Sequence, residues 1–469
     1  MFDRKIGKVY FIGIGGIGMS GIAEVLFNLG FEVSGSDVSK NQNIERLKEL
    51  GVKINLGHNK KNINDASIAV ISSAILDDNI ELVAARKKRI PIVKRAEMLA
   101  ELMRFKKTIA VAGTHGKTTT TSLIATILEK ANYDPTVING GIINSYNSNA
   151  KIGSSDWMIV EADESDGSFL KLPSTNVIVT NIDAEHLDYY NSFKELKNAF
   201  KKFINNIPFY GSAIICIDNP TIQSIISEVD DRRIITYGLS PQADFRATNV
   251  TFKDSKTFFS LEIGPKKDAP AKKIENMVSV IPGIHNVQNI LAACAISVEV
   301  GIDLNIMKAA LNDFEGVNRR FSLIRNFNGI EIYDDYGHHP VEIKATLAAS
   351  REITKDKVIA IVQPHRFTRL KLLFEEFTSA FNDADTVFIT EVYSAGESKK
   401  YDLSKETLIN SLISAGHKDV RAFEDSELKK LILEKLNKGD IVVFLGAGDI
   451  SASARLFVKD KLTEGLKWI

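Results

Sequence analysis

Residues 108–125 read TIAVAGTHGKTTTTSLIA, and their reading decides the architecture. Residues 108–112 are a short apolar run with β character. Gly113, Thr114, His115 and Gly116 form a turn poor in side chains. Lys117, Thr118, Thr119 and two further threonines then open a segment whose apolar residues, Leu123, Ile124, Ile127 and Leu128, recur at helical spacing. Strand, glycine turn, Lys-Thr and helix is the layout of a phosphate-binding loop. Glycines let backbone N–H groups close around phosphate oxygens, and the helix N-terminus adds the positive end of its dipole. In this layout Lys117 reaches the β- and γ-phosphates and the Thr118 hydroxyl holds Mg2+. One position departs from the general pattern: the first glycine of G-x-x-x-x-G-K-[ST] is Val111. A chance Gly-Lys-Thr on a loop is common, but one between an apolar strand and a helix is rare. The stretch therefore reads as a nucleoside-triphosphate site.

Around it the chain has 469 residues, too many for one core, and two to four domains are expected at ~100–200 residues each. Hydrophobic residues make up 44% and charged residues 25%, as in an ordinary globular protein. Lys+Arg and Asp+Glu both number 59. That balance argues against bulk binding to nucleic acid or to an anionic membrane. The two cysteines, Cys216 and Cys294, lie in apolar segments and read as reduced, buried thiols. Arg4, Lys5 and Lys8 precede an uncharged run over residues 9–23, which imitates a signal peptide. The run is glycine-rich, shorter than the ~20 residues of a membrane span, and ends in Glu24 without a small-residue cleavage site. It reads better as strand, glycine turn and helix in a cytoplasmic protein.

That N-terminal run is a second anion-binding pattern. Residues 8–12 (KVYFI) form a strand candidate. Gly13, Gly15, Gly16 and Gly18 sit in a G-x-G-x-x-G frame, a helix follows through residue 29, and Ser36 and Asp37 close the next strand. This is the dinucleotide-binding fingerprint. Alone it suggests NAD, but it reports only a diphosphate beside a helix N-terminus and a carboxylate near a sugar or base. A UDP-sugar carries the same groups. Packing of helix on strand would also use such glycines. Ser72 and Ser73, ending a further strand, suit a second loop over the same ligand. The basic stretch 104–107 marks a domain boundary.

Beyond the phosphate loop, acids follow a strand over residues 157–160: Glu161, Asp163, Glu164 and Asp166. A solvated loop would explain them. So would a carboxylate for Mg2+, which a second strand supplies in phosphate-loop domains. His186 lies among acids after the strand 176–180. His285 and Asn286 occupy a turn before a helix over 288–300, where they suit either a base edge or a helix cap. Residues 212–280 read as β-rich, without chemistry. Arg319 and Arg320, at the junction with a third α/β region, are either solvated or aimed at phosphate, which guanidinium forks fit well. In that region polar clusters follow successive strands: Asp334, Asp335, His338 and His339 after 329–333, and His365, Arg366 and Arg369 after 358–362. Further clusters follow 386–390 and 441–445. A doubly wound sheet builds its ligand crevice in this way.

Taken in order, the glycine turn at 13–18, GTHGKTTTT at 113–121, EADESDGSF at 161–169, EHLDYY at 185–190, PGIHN at 282–286, NRRF at 318–321, DDYGHHP at 334–340 and QPHRFTR at 363–369 resemble the Mur ligase family, nearest to its alanine-adding branch. The resemblance covers nearly the whole chain. It implies an α/β protein of three domains. Residues 1–106 would be a Rossmann-like N-terminal domain holding a UDP-sugar, not NAD, through Gly13, Gly15, Gly16, Gly18, Ser36, Asp37, Ser72 and Ser73. Residues 107–320 would be a central P-loop ATP-binding domain, and residues 321–469 a Rossmann-like C-terminal domain that brings the amino acid. It also implies ATP and Mg2+ as cofactors and UDP-N-acetylmuramate and L-alanine as substrates, with a monomer or homodimer as the assembly. ATP would contact the 113–119 loop. Glu161 and His186 match Mg2+ positions beside Thr118. His285, Asn286 and Asn289 match the adenine side. Arg319 or Arg320, and Asp334 or Asp335, match residues that reach the nucleotide. His365, Arg366 and Arg369 match the segment facing alanine and the acyl group, and His365 or His338 is a candidate base for the amine. The carbamylated lysine of several family members is not assigned to Lys201 or Lys202.

Other readings account for less. A dehydrogenase leaves the loop 113–118 idle. A nucleotide-driven switch leaves Asp37 and QPHRFTR unexplained. A folate-type glutamate ligase lacks the leading UDP-sugar domain. A ligase that joins recycled peptides to the same UDP-sugar stays open, because its first two domains would look alike.

Overall fold

Short apolar runs, each ended by a glycine or polar turn, fold into three sheets. The computed structural model describes residues 7–72, 74–104, 106–253, 255–265, 270–398, 403–423 and 436–459. Ser73, a candidate ligand residue, lies outside the described residues.

The first sheet contains β1 (Val9–Ile12), β2 (Val33–Asp37), β3 (Lys53–Leu56), β4 (Ile68–Ile71) and β5 (Ile92–Lys94), all parallel, in the order β3-β2-β1-β4-β5. The order reverses on either side of β1. A doubly wound sheet opens its ligand crevice at such a switch point, at the carboxyl ends of the strands. The glycine turn that follows Ile12 lies there.

The second sheet has ten strands. They are β6 (Lys107–Ala112), β7 (Thr136–Ile143), β8 (Ser148–Lys151), β9 (Trp157–Glu161), β10 (Asn176–Val179), β11 (Ser212–Cys216), β12 (Arg233–Gly238), β13 (Phe245–Lys253), β14 (Lys256–Ile263) and β15 (Lys272–Ser279). Their order is β15-β14-β13-β12-β11-β10-β6-β9-β7-β8. β6 lies between β9 and β10, parallel to both. The loops after these three strands therefore leave the same edge of the sheet side by side.

The third sheet contains β16 (Ser322–Phe327), β17 (Ile330–Asp335), β18 (Val358–Val362), β19 (Thr386–Ile389), β20 (Val420–Ala422) and β21 (Ile441–Leu445), in the order β16-β17-β21-β18-β19-β20. β16 and β17 form an antiparallel pair; the other pairings are parallel. Successive residues of β18 and β21 alternate between two apolar clusters. Val358, Ala360, Val362, Val443 and Leu445 pack on one face, and Ile359, Ile361, Val442 and Phe444 on the other. Burial on both faces is why these strands read as unbroken apolar runs.

The first sheet and most of the second belong to one compact unit, residues 1–249, 259–277 and 288–315; the third sheet, with the end of β13, the start of β14 and the end of β15, belongs to another, residues 250–258, 278–287 and 316–469. Within the first unit a polar seam joins the two sheets. Arg46 donates from Nε to Glu24 at 3.1 Å and from Nη2 to Asn149 at 2.6 Å. Asn149 donates to the Ile17 carbonyl at 2.6 Å, and Ser148 donates to Glu24 at 3.4 Å. Burial raises the Glu24 carboxyl above its usual range, against the pull of Arg46. No helix among the described residues is long and apolar enough to cross a membrane.

Two boundaries differ from expectation. The helix expected from residue 288 runs Ile284–Glu299, so His285 and Asn286 lie in its first turn. Gly283, at φ +103°, makes the bend that lets the helix start there. Asp334 and Asp335 end β17 instead of following it, each paired in register with β21. β7, a segment the sequence reading did not assign, runs as one strand through Asn139, Gly140 and Gly141. A Cβ at its Gly140 would fall on the Glu161 carboxylate and force that side chain to move.

Arg46→Ala leaves the Glu24 carboxylate buried without its cation. Such a loss costs about 3 kcal/mol and should appear as a lower urea midpoint followed by circular dichroism. Arg46→Ala with Glu24→Gln should recover part of it.

Candidate active site

The phosphate-type loop is built by close approach. Gly113 has φ +132° and Gly116 φ +82°, and a side chain at either would strike a neighbour: the Thr180 hydroxyl at Gly113, the Asn289 amide oxygen at Gly116. The loop is laced to the segment after β10. Thr114 N donates to Asn181 O at 3.1 Å, His115 N to Asn181 Oδ1 at 2.8 Å, and Thr180 Oγ1 to His115 O at 2.5 Å. Asp183 N donates to Thr114 Oγ1 at 2.9 Å, and His115 Nε2 lies 3.3 Å from Asp183 Oδ2. Beneath the loop Thr120 donates to Asn289 at 3.2 Å. Asn289 thus lies under the loop, while Asn286 donates to Pro282 O at 2.7 Å in the other unit. Thr118 and Thr119 are both buried at the start of the helix Lys117–Lys130.

Lys117 is turned inward. Its ammonium donates to Gly113 O at 2.5 Å, Thr114 O at 3.1 Å and Glu164 Oε1 at 2.9 Å. Desolvation alone would lower its pKa, but Glu164, Glu161 and Asp163 outweigh that and hold it above the usual lysine value. Glu164 is 2% exposed. Burial pushes its carboxyl up to about 7 in spite of Lys117, and its second oxygen has no hydrogen-bond partner. Glu161, at the end of β9, accepts from Gly140 N at 2.6 Å. His186, in a left-handed conformation at φ +55°, places Nε2 3.9 Å from Glu164 Oε1 and 3.8 Å from Glu185 Oε2. Among the described residues, no three His, Cys, Asp or Glu side chains converge as a ready metal centre. The donors at hand, the Thr118 hydroxyl and the Glu161 carboxylate, are hard oxygens of the kind Mg2+ takes together with substrate phosphates and water. Lys201 pairs with Glu228 at 2.9 Å on the surface.

The first glycine turn is organised around Asp37. Its Oδ2 accepts from Gly15 N at 2.8 Å and its Oδ1 from Ser39 N at 3.2 Å. Gly13 N and Ile14 N donate to Ser36 O at 2.8 and 3.0 Å. Gly16 caps the helix Ile17–Asn28 with no side-chain bond. A Cβ at Gly18 would stand 3.0 Å from Arg95 Nη1, and Arg95 in turn pairs with Asp163 at 3.0 Å. Arg95 therefore links this turn to the acidic loop. The Ser36 side chain does not meet the expectation of a ligand contact: it is fully buried, with its hydroxyl 2.5 Å from Glu81 and 3.0 Å from His58. Ser72 follows β4 directly, where a loop over the crevice was expected.

In the other unit Arg319 and Arg320 set their guanidinium groups over the Tyr336 ring, 5.0 and 5.2 Å from its centre. Arg319 donates to Gly446 O and lies 3.6 Å from Asp334, which accepts from Ser451 at 2.5 Å. Asp335 is committed to the chain itself. It accepts from Phe321 N and Gly337 N, both at 2.7 Å, and from Thr346 at 3.1 Å. An aromatic file runs from Tyr336 to His338, His365 and Tyr393, with ring centres 5.3–5.5 Å apart. Arg369 Nη1 lies 3.3 Å from His365 Nδ1. An arginine only donates, so Nδ1 is the acceptor and the neutral ring carries its proton on Nε2. Burial, then His338, Arg369 and Arg366, lower the His365 pKa to about 4. Arg366 is exposed, at φ +66°, a strained setting for a non-glycine residue.

Glu164, Thr180, Asn181 and Arg95 escaped the sequence reading of the site. Glu164 stood in the acidic motif, but nothing in its spacing separates it from Glu161.

Comparison with known proteins places these features. Three family models match in sequence: "Mur ligase family, catalytic domain" over residues 8–107, "Mur ligase middle domain" over 111–297, and "Mur ligase, glutamate ligase domain" over 319–448. The UDP-N-acetylmuramate–L-alanine ligase of Methylobacterium radiotolerans is 53% identical over 98% of both chains. That of Brucella anthropi is 52% identical over 99% of both. Among solved structures, the UDP-N-acetylmuramate-alanine ligase of Thermotoga maritima aligns with a TM-score of 0.82 at 32% identity, covering 97% of this chain and 99% of that one. A murein peptide ligase from Psychrobacter arcticus shares the fold at a TM-score of 0.70 and 22% identity, covering 99% and 100%. With two glycine turns at strand ends, an acidic loop beside the second, and three family models laid end to end, the chain belongs to the Mur ligase family.

Proposed function

We infer that the chain is an ATP-dependent carboxylate–amine ligase that joins L-alanine to the lactyl carboxylate of UDP-N-acetylmuramate, giving ADP and phosphate, in peptidoglycan precursor synthesis. The observation that carries this reading is the 52–53% identity, over 98–99% of both chains, to ligases named for that reaction. The peptide-recycling alternative has in its support fold-level likenesses at 22 and 23% identity.

A carboxylate and an amine do not condense in water. Transfer of the γ-phosphoryl group of ATP to the lactyl carboxylate gives an acyl phosphate and ADP. The free amine of alanine attacks the acyl carbon, and phosphate leaves the tetrahedral intermediate. Negative charge develops on the transferring phosphoryl group, on the oxyanion and on the departing phosphate, so cations must surround all three. Lys117 and the 113–119 loop are proposed to hold the triphosphate, with Asn289 under the loop and His285 and Asn286 toward adenine. Thr118, Glu161 and His186 would hold Mg2+, which supplies charge neutralisation at the phosphates when bound. The 13–18 turn with Asp37 and Ser72 would take the UDP-sugar. Arg319, Arg320 and Asp334 are proposed on the nucleotide side of the C-terminal unit, with Asp335 holding their junction in place. His338, His365, Arg366 and Arg369 would face alanine and the acyl group. His365 suits a donor better than a base, because Arg369 occupies its lone pair and its low pKa makes it a poor acceptor for an ammonium proton.

Substrate omission tests the reaction. ADP should form only when UDP-N-acetylmuramate and L-alanine are both present; ATP turnover without them, or oxidation of NADH, would sink the reading. Lys117→Ala should lower kcat by about a thousandfold while calorimetry still registers UDP-sugar binding. His365 gives a pH prediction. Its pKa is lowered from 6.5 to about 4 on folding, so the unfolded chain binds the extra proton. The stability it supports is complete above pH 6.5 and is lost as pH falls toward 4. Denaturation midpoints over that range should fall less steeply in His365→Asn.

A further inference from the structure

We propose that Glu164 is the internal counter-anion of the phosphate loop. Glu164 holds Lys117 in the role the terminal phosphates of ATP would take, and nucleotide binds by exchanging phosphate for Glu164 on the lysine. The inference rests on the nucleotide reading of this loop and adds a residue to it. A lysine ammonium has three N–H donors and no acceptor. All three are engaged: at Gly113 O, Thr114 O and Glu164 Oε1. A phosphate can therefore bind Lys117 only by displacing one of them. Two of the acceptors are carbonyls of the loop itself, in backbone tied to Thr180, Asn181 and Asp183. Glu164 is the one anion among the three, and it is the one whose side chain can rotate while its main chain stays fixed. Tyr190 Oη donates to Glu164 O at 2.5 Å, and Gly167 N donates to the same oxygen at 3.1 Å.

The carboxylate is also incompletely satisfied. Glu164 is 2% exposed and its Oε2 has no hydrogen-bond partner. Glu161 differs: its carboxylate accepts from Gly140 N at 2.6 Å. A buried carboxylate kept only to stabilise the fold would be expected to fill both oxygens. One that must let go of its cation when an anion arrives is held through one oxygen, as Glu164 is: Lys117 lies 2.9 Å and His186 Nε2 3.9 Å from Oε1.

The experiment is calorimetric titration of ATP and ADP, in EDTA so that no divalent cation contributes, into the full-length chain and its variants. Glu164→Gln should tighten metal-free nucleotide binding by about tenfold, since the competitor for Lys117 is gone. In a Lys117→Met background the same substitution should change affinity by less than about twofold. Unchanged or weaker binding by Glu164→Gln overturns the proposal. So does an equal gain in the Lys117→Met background, which would mark general charge repulsion and not exchange at the lysine. Glu164→Asp, which draws the carboxylate back by one methylene, should give a gain of the same sign and smaller size. It carries the test if the glutamine variant does not fold, and unchanged or weaker binding there overturns the proposal equally. If the unaltered chain binds no nucleotide at all, the nucleotide reading of the loop fails instead, and the two failures are told apart.

Discussion

The ammonium of a lysine whose side chain is only 15% exposed must be matched largely by the protein around it. Much of the central domain follows from that requirement at Lys117. The loop carbonyls face inward because Gly113 and Gly116 adopt backbone angles that a side chain would forbid. Those angles hold because the loop is bonded to the segment after β10. The acidic loop after β9 lies beside it because β6 runs between β9 and β10. The sheet order thus delivers cation and anion to the same edge before any ligand is present.

The two glycine turns answer the same problem with different chemistry. Each is a cluster of backbone N–H groups at a helix N-terminus, a place that favours an anion. Each is met by a carboxylate of the chain itself: Asp37 accepts from Gly15 N in the first turn, and Glu164 holds Lys117 in the second. Arg95 lies between them, against Gly18 and paired with Asp163. The acid at the end of β2, which in a dinucleotide fold marks a sugar, here also shapes the turn that precedes it.

The architecture was legible because parallel strands buried on both faces write themselves as apolar runs, and because glycine turns and Lys-Thr have few other uses at strand ends. Strand β7 went unassigned, and the neighbour that a Cβ at its Gly140 would meet, the Glu161 carboxylate, is distant in sequence. The start of the helix Ile284–Glu299 was placed late because His285 and Asn286 are polar. Within the candidate site, residue types could be read but not their partners. Ser36 carries the right chemistry for a ligand and faces Glu81 instead; Asp334 and Asp335 are neighbours in sequence with different duties. Choice among small amino acids was out of reach, because one methyl or hydroxyl is worth only ~1–3 kcal/mol in a pocket.

The polar seam through Glu24, Arg46, Ser148 and Asn149 bears on modularity. Sequence comparison divides the chain near residue 107 as though the first sheet were a separable cassette. Cut there, the helix Ile17–Asn28 would present the Glu24 carboxylate and an open carbonyl at Ile17 to water, and the helix Gln42–Glu49 the Arg46 guanidinium, all shaped for strand β8. A chimera that imports this sheet from another ligase must import the matching face of β8 with it. In this chain the two sheets are therefore coupled through the seam, although the backbone crosses from one to the other near residue 107.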